Sequence, residues 1–202
     1  MMGSIRPLLI VLLAIGTAGC SYVRETQPER TATEQLLIST AADHAIEHLD
    51  VALAPGARVW LDASEFEAYD KGYVLGTLRS HLLTRGAALV PDRKTADVVV
   101  EVRSGALSID NSSNLVGMPA FKVPVPLAGD FELPELALFK RNEQVGIAKL
   151  ALFVYDAKDG RYVDAVGPAY GLSWKNRWSV LGVGWTVTNV EPETGETEET
   201  DE

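Results

Sequence analysis

The 202-residue chain has one cysteine, Cys20, and three histidines, His44, His48 and His81. With no second cysteine, no internal disulfide can form, so stability has to come from packing even in an oxidising compartment. A Ser-His-Asp triad would have to draw on these three imidazoles, and no G-x-S-x-G elbow accompanies them. Positive charge is scarce as well: 18 Lys and Arg stand against 28 Asp and Glu, for a net charge of −10. Nucleic-acid binding needs a basic footprint, and that class is excluded. Seven of the carboxylates lie in "EPETGETEETDE", 191–202, so the rest of the chain is only mildly acidic. That tail holds no core-forming residues and reads as a solvating, disordered terminus. Long apolar runs are missing too. The longest, Leu8–Ile15, falls short of the roughly 20 residues a transmembrane helix needs.

What stands at the N-terminus has the layout of an export signal. Arg6 is the only charge before Cys20, the apolar run follows, and then come the small residues Gly16, Thr17, Ala18 and Gly19. "TAGC" resembles the lipobox of bacterial lipoprotein precursors, with Thr17 where Leu is commonest. The resemblance implies a signal peptide over 1–19, cleavage between Gly19 and Cys20, and a lipid on Cys20. By the same likeness, Ser21 after the cysteine implies sorting to the outer membrane, with the folded part facing the periplasm. Residues 20–32 read as a lipidated cysteine and polar tether, and 33–190 as one domain.

Within that domain the expected fold class is α+β: two amphipathic helices packed on one face of a mixed, mostly antiparallel sheet. Thr31 and Glu34 form a T-x-x-E capping box. Ile38, Ala42, Ala45, Ile46 and Leu49 then recur at helical spacing, which predicts a helix over about 33–50. "ARVWLDA" reads as a strand. A second helix is expected over about 70–85, with Gly86 as its C-terminal stop. "AALVPD" is a short strand and "ADVVVEVRSGALSI" a longer one, bent near Gly105. Prolines 119, 124, 126 and 134 make 111–135 an excursion or flap outside the helices and the central sheet. "LALFKRN" and "VGIAKLALFVYDAKDGRYVDAVG" give strands with a turn at Asp159-Gly160. "AYGLSWKNRWSVLGVGWTVTNV" predicts a last hairpin turning at Lys175-Asn176-Arg177.

Several stretches touch on chemistry. "HAIEH" matches H-x-x-E-H, which would set His44 and His48 on one helical face for zinc with Glu47 as base. The match is short, no further acidic ligand is marked, and the histidines flank an apolar stripe, so half-buried histidines are the simpler reading. Glu65, Glu67 and Asp70 in "SEFEAYD" form a carboxylate cluster, but Ser64–Glu67 is also a capping box with acids near a helix start. "GVG", Gly182–Gly184, lacks the third glycine and following helix of a dinucleotide loop. Trp174, Trp178 and Trp185, with Tyr170, suggest either a binding surface or an aromatic hairpin that several subunits would combine into a pore.

The stretch "GMPAFKVPVPLAG…PELALFKRNEQVGIAKLALFVYDAKDG…GPAYGLSW" resembles an uncharacterised family of bacterial lipoproteins, a domain of unknown function. That resemblance brings no activity. The first part, ending "TADVVVEV", is similar in pattern to the periplasmic α/β module of curli-secretion, flagellar and Tol-associated lipoproteins, which implies envelope assembly or scaffolding. The expectation is a non-enzymatic, lipid-anchored binding protein without cofactor. Its envelope partner would meet Phe121, Pro124, Pro126, Trp174 and Trp178, the rigid prolines and aromatics that lose little entropy on docking.

Overall fold

Thr31 opens the first helix as its capping box requires. In the computed structural model its Oγ1 accepts from the Glu34 amide at 3.2 Å, and its own amide donates to Glu34 Oε2 at 2.9 Å. The structure describes residues 30–125 and 129–190. The signal segment, Gly19, Cys20, nearly all of the tether, Pro126 and the acidic tail lie outside them. Thr31 onward belongs to one unit.

Helix α1 spans Ala32–Glu47. It ends before the expected 50 because the His48 and Leu49 amides tighten onto Ala45 and Ile46, three residues back. Leu37, Ile38, Ala41, Ala42, Ala45 and Ile46 are buried, an apolar stripe two residues wide. Helix α2 spans Lys71–Thr84 and buries Val74, Leu75, Leu78 and Leu82. Gly86 follows it at φ 86°, the left-handed stop its sequence signals. The Ser64–Glu67 box does not form. The helix starts at Lys71, and the Ser64 amide instead donates to Asp62 Oδ1 at 3.1 Å.

The strands are β1 (Arg58–Asp62), β2 (Ala88–Leu89), β3 (Val98–Met118), β4 (Phe121–Val125), β5 (Gly129–Leu133), β6 (Leu136–Asp156), β7 (Tyr162–Val180) and β8 (Val183–Thr188). Six of them form one sheet in the order β2-β1-β3-β6-β7-β8, while β4 and β5 pair separately. The fold is α+β, but the sheet is mixed rather than mostly antiparallel: β1 runs parallel to both of its neighbours. The α2 connection between β1 and β2 is the physical reason, since parallel neighbours need a crossover rather than a tight turn. Arg58 and Asp97 clamp the β1–β3 start. Asp97 Oδ2 accepts from the Arg58 amide and Nε, and Oδ1 accepts from Nη2 at 2.6 Å. Those bonds hold the Asp97 carboxyl down to about 2.

The core joins both helices to this end of the sheet through Phe66, Val59, Val100, Ala148, Leu150, Leu152 and Val154. Helix α1 sits so close to β6 and β7 that no side chain fits between. A Cβ at Gly146 would stand 2.6 Å from the Leu37 carbonyl oxygen, and one at Gly171 would stand 2.5 Å from the Ala45 nitrogen. Ser173, the one buried polar residue there, donates its hydroxyl to the Leu37 carbonyl at 2.5 Å.

Three sequence expectations change in the β half. Residues 111–118, placed in the excursion, are strand and complete β3, paired with β6 from Asn111↔Gln144 to Met118↔Leu136. The prolines break the strand only where they occur. Pro119 and Pro134 flank the junction to the β4–β5 hairpin, and Pro124 sits inside β4 opposite Asp130, where a two-stranded sheet tolerates a missing donor. "LALFKRN" and the following stretch are one strand, β6. The last hairpin turns at Leu181-Gly182, not at Lys175–Arg177. Both turn residues have positive φ, 49° and 86°, as a two-residue hairpin turn that follows strand twist demands. Gly105 does mark a register shift, and Gly160, at φ 72°, makes the β6–β7 turn.

Candidate functional site: a two-faced β-ribbon

Strands β3 and β6 are 21 residues each, about 70 Å at the usual rise. Helix α1 covers only part of that length. Its N-terminal end reaches the row of Lys175, whose Nζ donates to Thr33 Oγ1 at 3.2 Å. Beyond that row β3, β6, β7 and β8 continue as a four-stranded antiparallel ribbon.

Strand pairing assigns the faces, because residues directly opposite share a side. On the side continuous with the helix-covered face stand Asn111, Gln144, Lys175 and Thr188, and then Ser113, Asn142, Arg177 and Thr186. This face is polar and internally bonded: Gln144 Nε2 donates to Asn111 Oδ1 at 3.1 Å and Ser113 Oγ donates to Asn142 Oδ1 at 2.7 Å.

The opposite face is largely apolar. Ile147 and Leu172 lead to Val145 and Trp174, then to the row Arg141–Trp178–Trp185, and last to Val116–Phe139–Val180–Val183. Trp178 and Trp185 stack at 6.4 Å between ring centres, 5° from parallel, and Phe139 meets Trp178 edge-on at 5.9 Å. Arg141 lies over Trp178 at 4.7 Å and donates through Nη2 to Glu143 Oε1 at 2.9 Å. A polar seam of Ser112, Glu143 and Asn176 crosses this face.

Several exposed apolar side chains lie beyond the helix-covered part of the sheet. Leu138 and Phe131 are 60% exposed, Val183 70% and Leu181 72%. The β4–β5 hairpin repeats the two-faced pattern: Phe121 opposes Leu133 and Val123 opposes Phe131 on one side, while Lys122 opposes Glu132 on the other.

The five residues singled out from the sequence as contacts do not form one patch. Trp178 belongs to the aromatic stack. Trp174 lies four residues nearer the helix, its amide donating to Asn189 Oδ1 at 2.6 Å. Phe121 and Pro124 are on β4, and Pro126 is outside the described residues. Sequence reasoning named Trp185 with Trp174 and Trp178 as a candidate binding surface, but it missed Phe139, Leu138, Val183 and Phe131. The signal for β8 was legible: in "VGWTVT" the apolar Val183, Trp185 and Val187 alternate with Gly184, Thr186 and Thr188.

The histidine pair is tied to main chain. His44 Nδ1 bonds the Leu172 carbonyl at 2.8 Å and His48 Nδ1 bonds the His44 carbonyl at 2.6 Å. Such bonds leave Nε2 open, as metal ligation needs. Even so, no group of three or more His, Cys, Asp or Glu that could hold a metal assembles among the described residues. His81 Nε2 meets the Leu49 carbonyl at 2.9 Å, a packing role. Glu65 and Glu67 lie in the exposed loop before α2. No helix among the described residues is long and apolar enough to cross a membrane.

Two features therefore define the molecule: a helix-covered core and a ribbon that outruns it. The pattern of a family of unknown function, DUF6655, matches residues 14–190. The chain belongs to that family. The matched span includes both helices and the whole described ribbon. Among curated proteins none matches the chain.

Proposed function

We propose that the protein is a non-enzymatic lipoprotein of the cell envelope, held at the outer membrane by a lipid on Cys20. Its domain faces the periplasm and binds an envelope partner through the far end of the ribbon, serving assembly or maintenance. The anchor is supported by "LLAIGTAGC", a short apolar run and small residues ahead of the lone cysteine. In this reading both helices lie on one face of the sheet, α1 against β6 and β7, and leave the ribbon to the partner.

The observation that carries the contact surface is the exposure of Leu181 and Val183 at the β7–β8 turn, in line with the Phe139–Val180 row, with Leu138 on β6 and Phe131 on the β4–β5 hairpin exposed as well. Soluble monomers rarely leave a large contiguous apolar patch bare, and such patches mark interaction sites. The stacked Trp178 and Trp185 with Arg141 beside them are the residue types that dominate binding energy at interfaces.

The test is in-cell cross-linking of the full chain carrying Phe131→Lys, Leu138→Lys and Val183→Lys together. Cross-linked adducts are expected to disappear while circular dichroism and membrane retention stay as in the wild type. Adducts that survive all three charges overturn the contact surface. Separately, Cys20→Ala should abolish labelling by radioactive palmitate and release the chain from the membrane fraction. Label that persists overturns the anchor.

A further inference from the structure

Among the described residues the ribbon has two open edges. From Val102 to Met118, β3 has β6 on one side and, among the described residues, no strand on the other. Strand β8 likewise has only β7. Open edges present rows of unpaired N–H and C=O groups, and proteins that must stay monomeric blunt them with charges, prolines or bulges. Along β8, and along β3 between its register shifts at Gly105 and at Val116/Gly117, these edges are not blunted. "VGWTVT" has no charge and no proline, and β3 runs regularly from Ala106 to Val116 with Asp110 as its one charge.

We propose that the two edges serve each other: β8 of one copy pairs antiparallel with β3 of the next, joining copies of this chain head to tail into a closed ring. The proposal rests on the ribbon being the contact surface and makes its partner a second copy. Strand direction supports it. Four antiparallel strands make β3 and β8 run in opposite senses, so β8 beside a neighbour's β3 continues the antiparallel alternation around a rotation axis. Two β8 strands paired about a two-fold would leave every β3 edge open, whereas head-to-tail pairing satisfies both.

Side-chain chemistry agrees across the joint. The rows of the ribbon put Thr186 level with Ser113 and Thr188 level with Asn111, all on the polar face. Threonine beside serine makes a favourable cross-strand pair. The polar face thus runs on without interruption, and Trp185 carries the aromatic face to the joint.

The test uses disulfide trapping in the full, membrane-anchored chain. Ser113→Cys is combined with Thr186→Cys, Asn111→Cys with Thr188→Cys, and the two mixed pairs allow for a shifted register. On oxidation a double variant should convert monomer into a ladder of dimer, trimer and higher species, and each single variant should stay monomeric. A dimer from Thr186→Cys alone would show two-fold β8 pairing and overturn the ring. Absence of a ladder from all four pairs, with wild-type circular dichroism, also overturns it. The two readings fail separately: foreign adducts that the lysine variants abolish, without any self-ladder, leave the contact surface standing and remove the ring.

Discussion

Gly146 and Gly171 show how much of this fold depends on a missing methyl group. Both face α1, and any side chain at Gly171 would be driven into the Ala41 carbonyl. Because helix and strands are fixed on either side, the contact cannot relax by rotating a side chain away. Gly171→Val is expected to cost about 1–3 kcal/mol, the range for overpacking a close contact. Urea denaturation would read it as a lower midpoint with an unchanged slope. An unchanged midpoint would mean that α1 does not lie on β7 as described. Nothing in "AYGLSW" distinguishes this glycine from a turn glycine, since close approach by a helix about 130 residues away leaves no local mark. Ser173 is similar: a serine in a strand reads as solvent-facing, yet here it is buried and bonded to Leu37.

Elements whose causes are local were legible. The Thr31 capping box, the Gly86 stop and the Asp159-Gly160 turn each depend on residues a few positions apart, and each is present. The β7–β8 turn was misplaced because Lys175-Asn176-Arg177 has the composition of a turn, while Leu181-Gly182 carries only half of one. The structure puts Leu181 at φ 49°, a region where a branched side chain is strained. Leu181→Asn is therefore expected to stabilise the hairpin by about 0.5–1 kcal/mol, since asparagine tolerates that backbone. Slower hydrogen exchange at the β8 amides would confirm the gain, and faster exchange would contradict the turn geometry. Strand β3 ran longer than expected for a related reason. "NSSN" has low strand propensity, but its amides and hydroxyls find partners across the ribbon, Ser113 with Asn142 and Asn111 with Gln144.

At the scale of the whole molecule, the buried core belongs to the helix-covered end, and the proposed contact to the ribbon. The Arg58–Asp97 clamp ties the first to pH. The folded carboxyl titrates at about 2, below the ordinary value near 4. A depressed carboxyl contributes stability that is present above the unfolded value and is lost as pH falls toward the folded one. The wild type should therefore melt above Asp97→Asn by a constant margin at pH 5 and higher, with the margin closing between about pH 4 and pH 2. A margin that persists at pH 2 would assign the effect to something other than the carboxylate charge. The ribbon is governed by different physics: it exposes apolar side chains and, among the described residues, strand edges that the helices do not cover.

The sequence by itself determined the Thr31 start of the first helix, the Gly86 stop of the second, the apolar stripes that bury them, the Asp159-Gly160 turn and the two-faced pattern of β8. Each follows from the stereochemistry or periodicity of neighbouring residues. Only the tertiary structure decided that β1 is parallel to its neighbours, that Gly146 and Gly171 admit a helix backbone, and that 111–118 joins β3. The same is true of the aromatic stack that unites Trp178 and Trp185 with Phe139. These depend on partners far apart in the chain, and a long-range pairing is selected by the whole set of contacts it permits rather than by any residue's own preference.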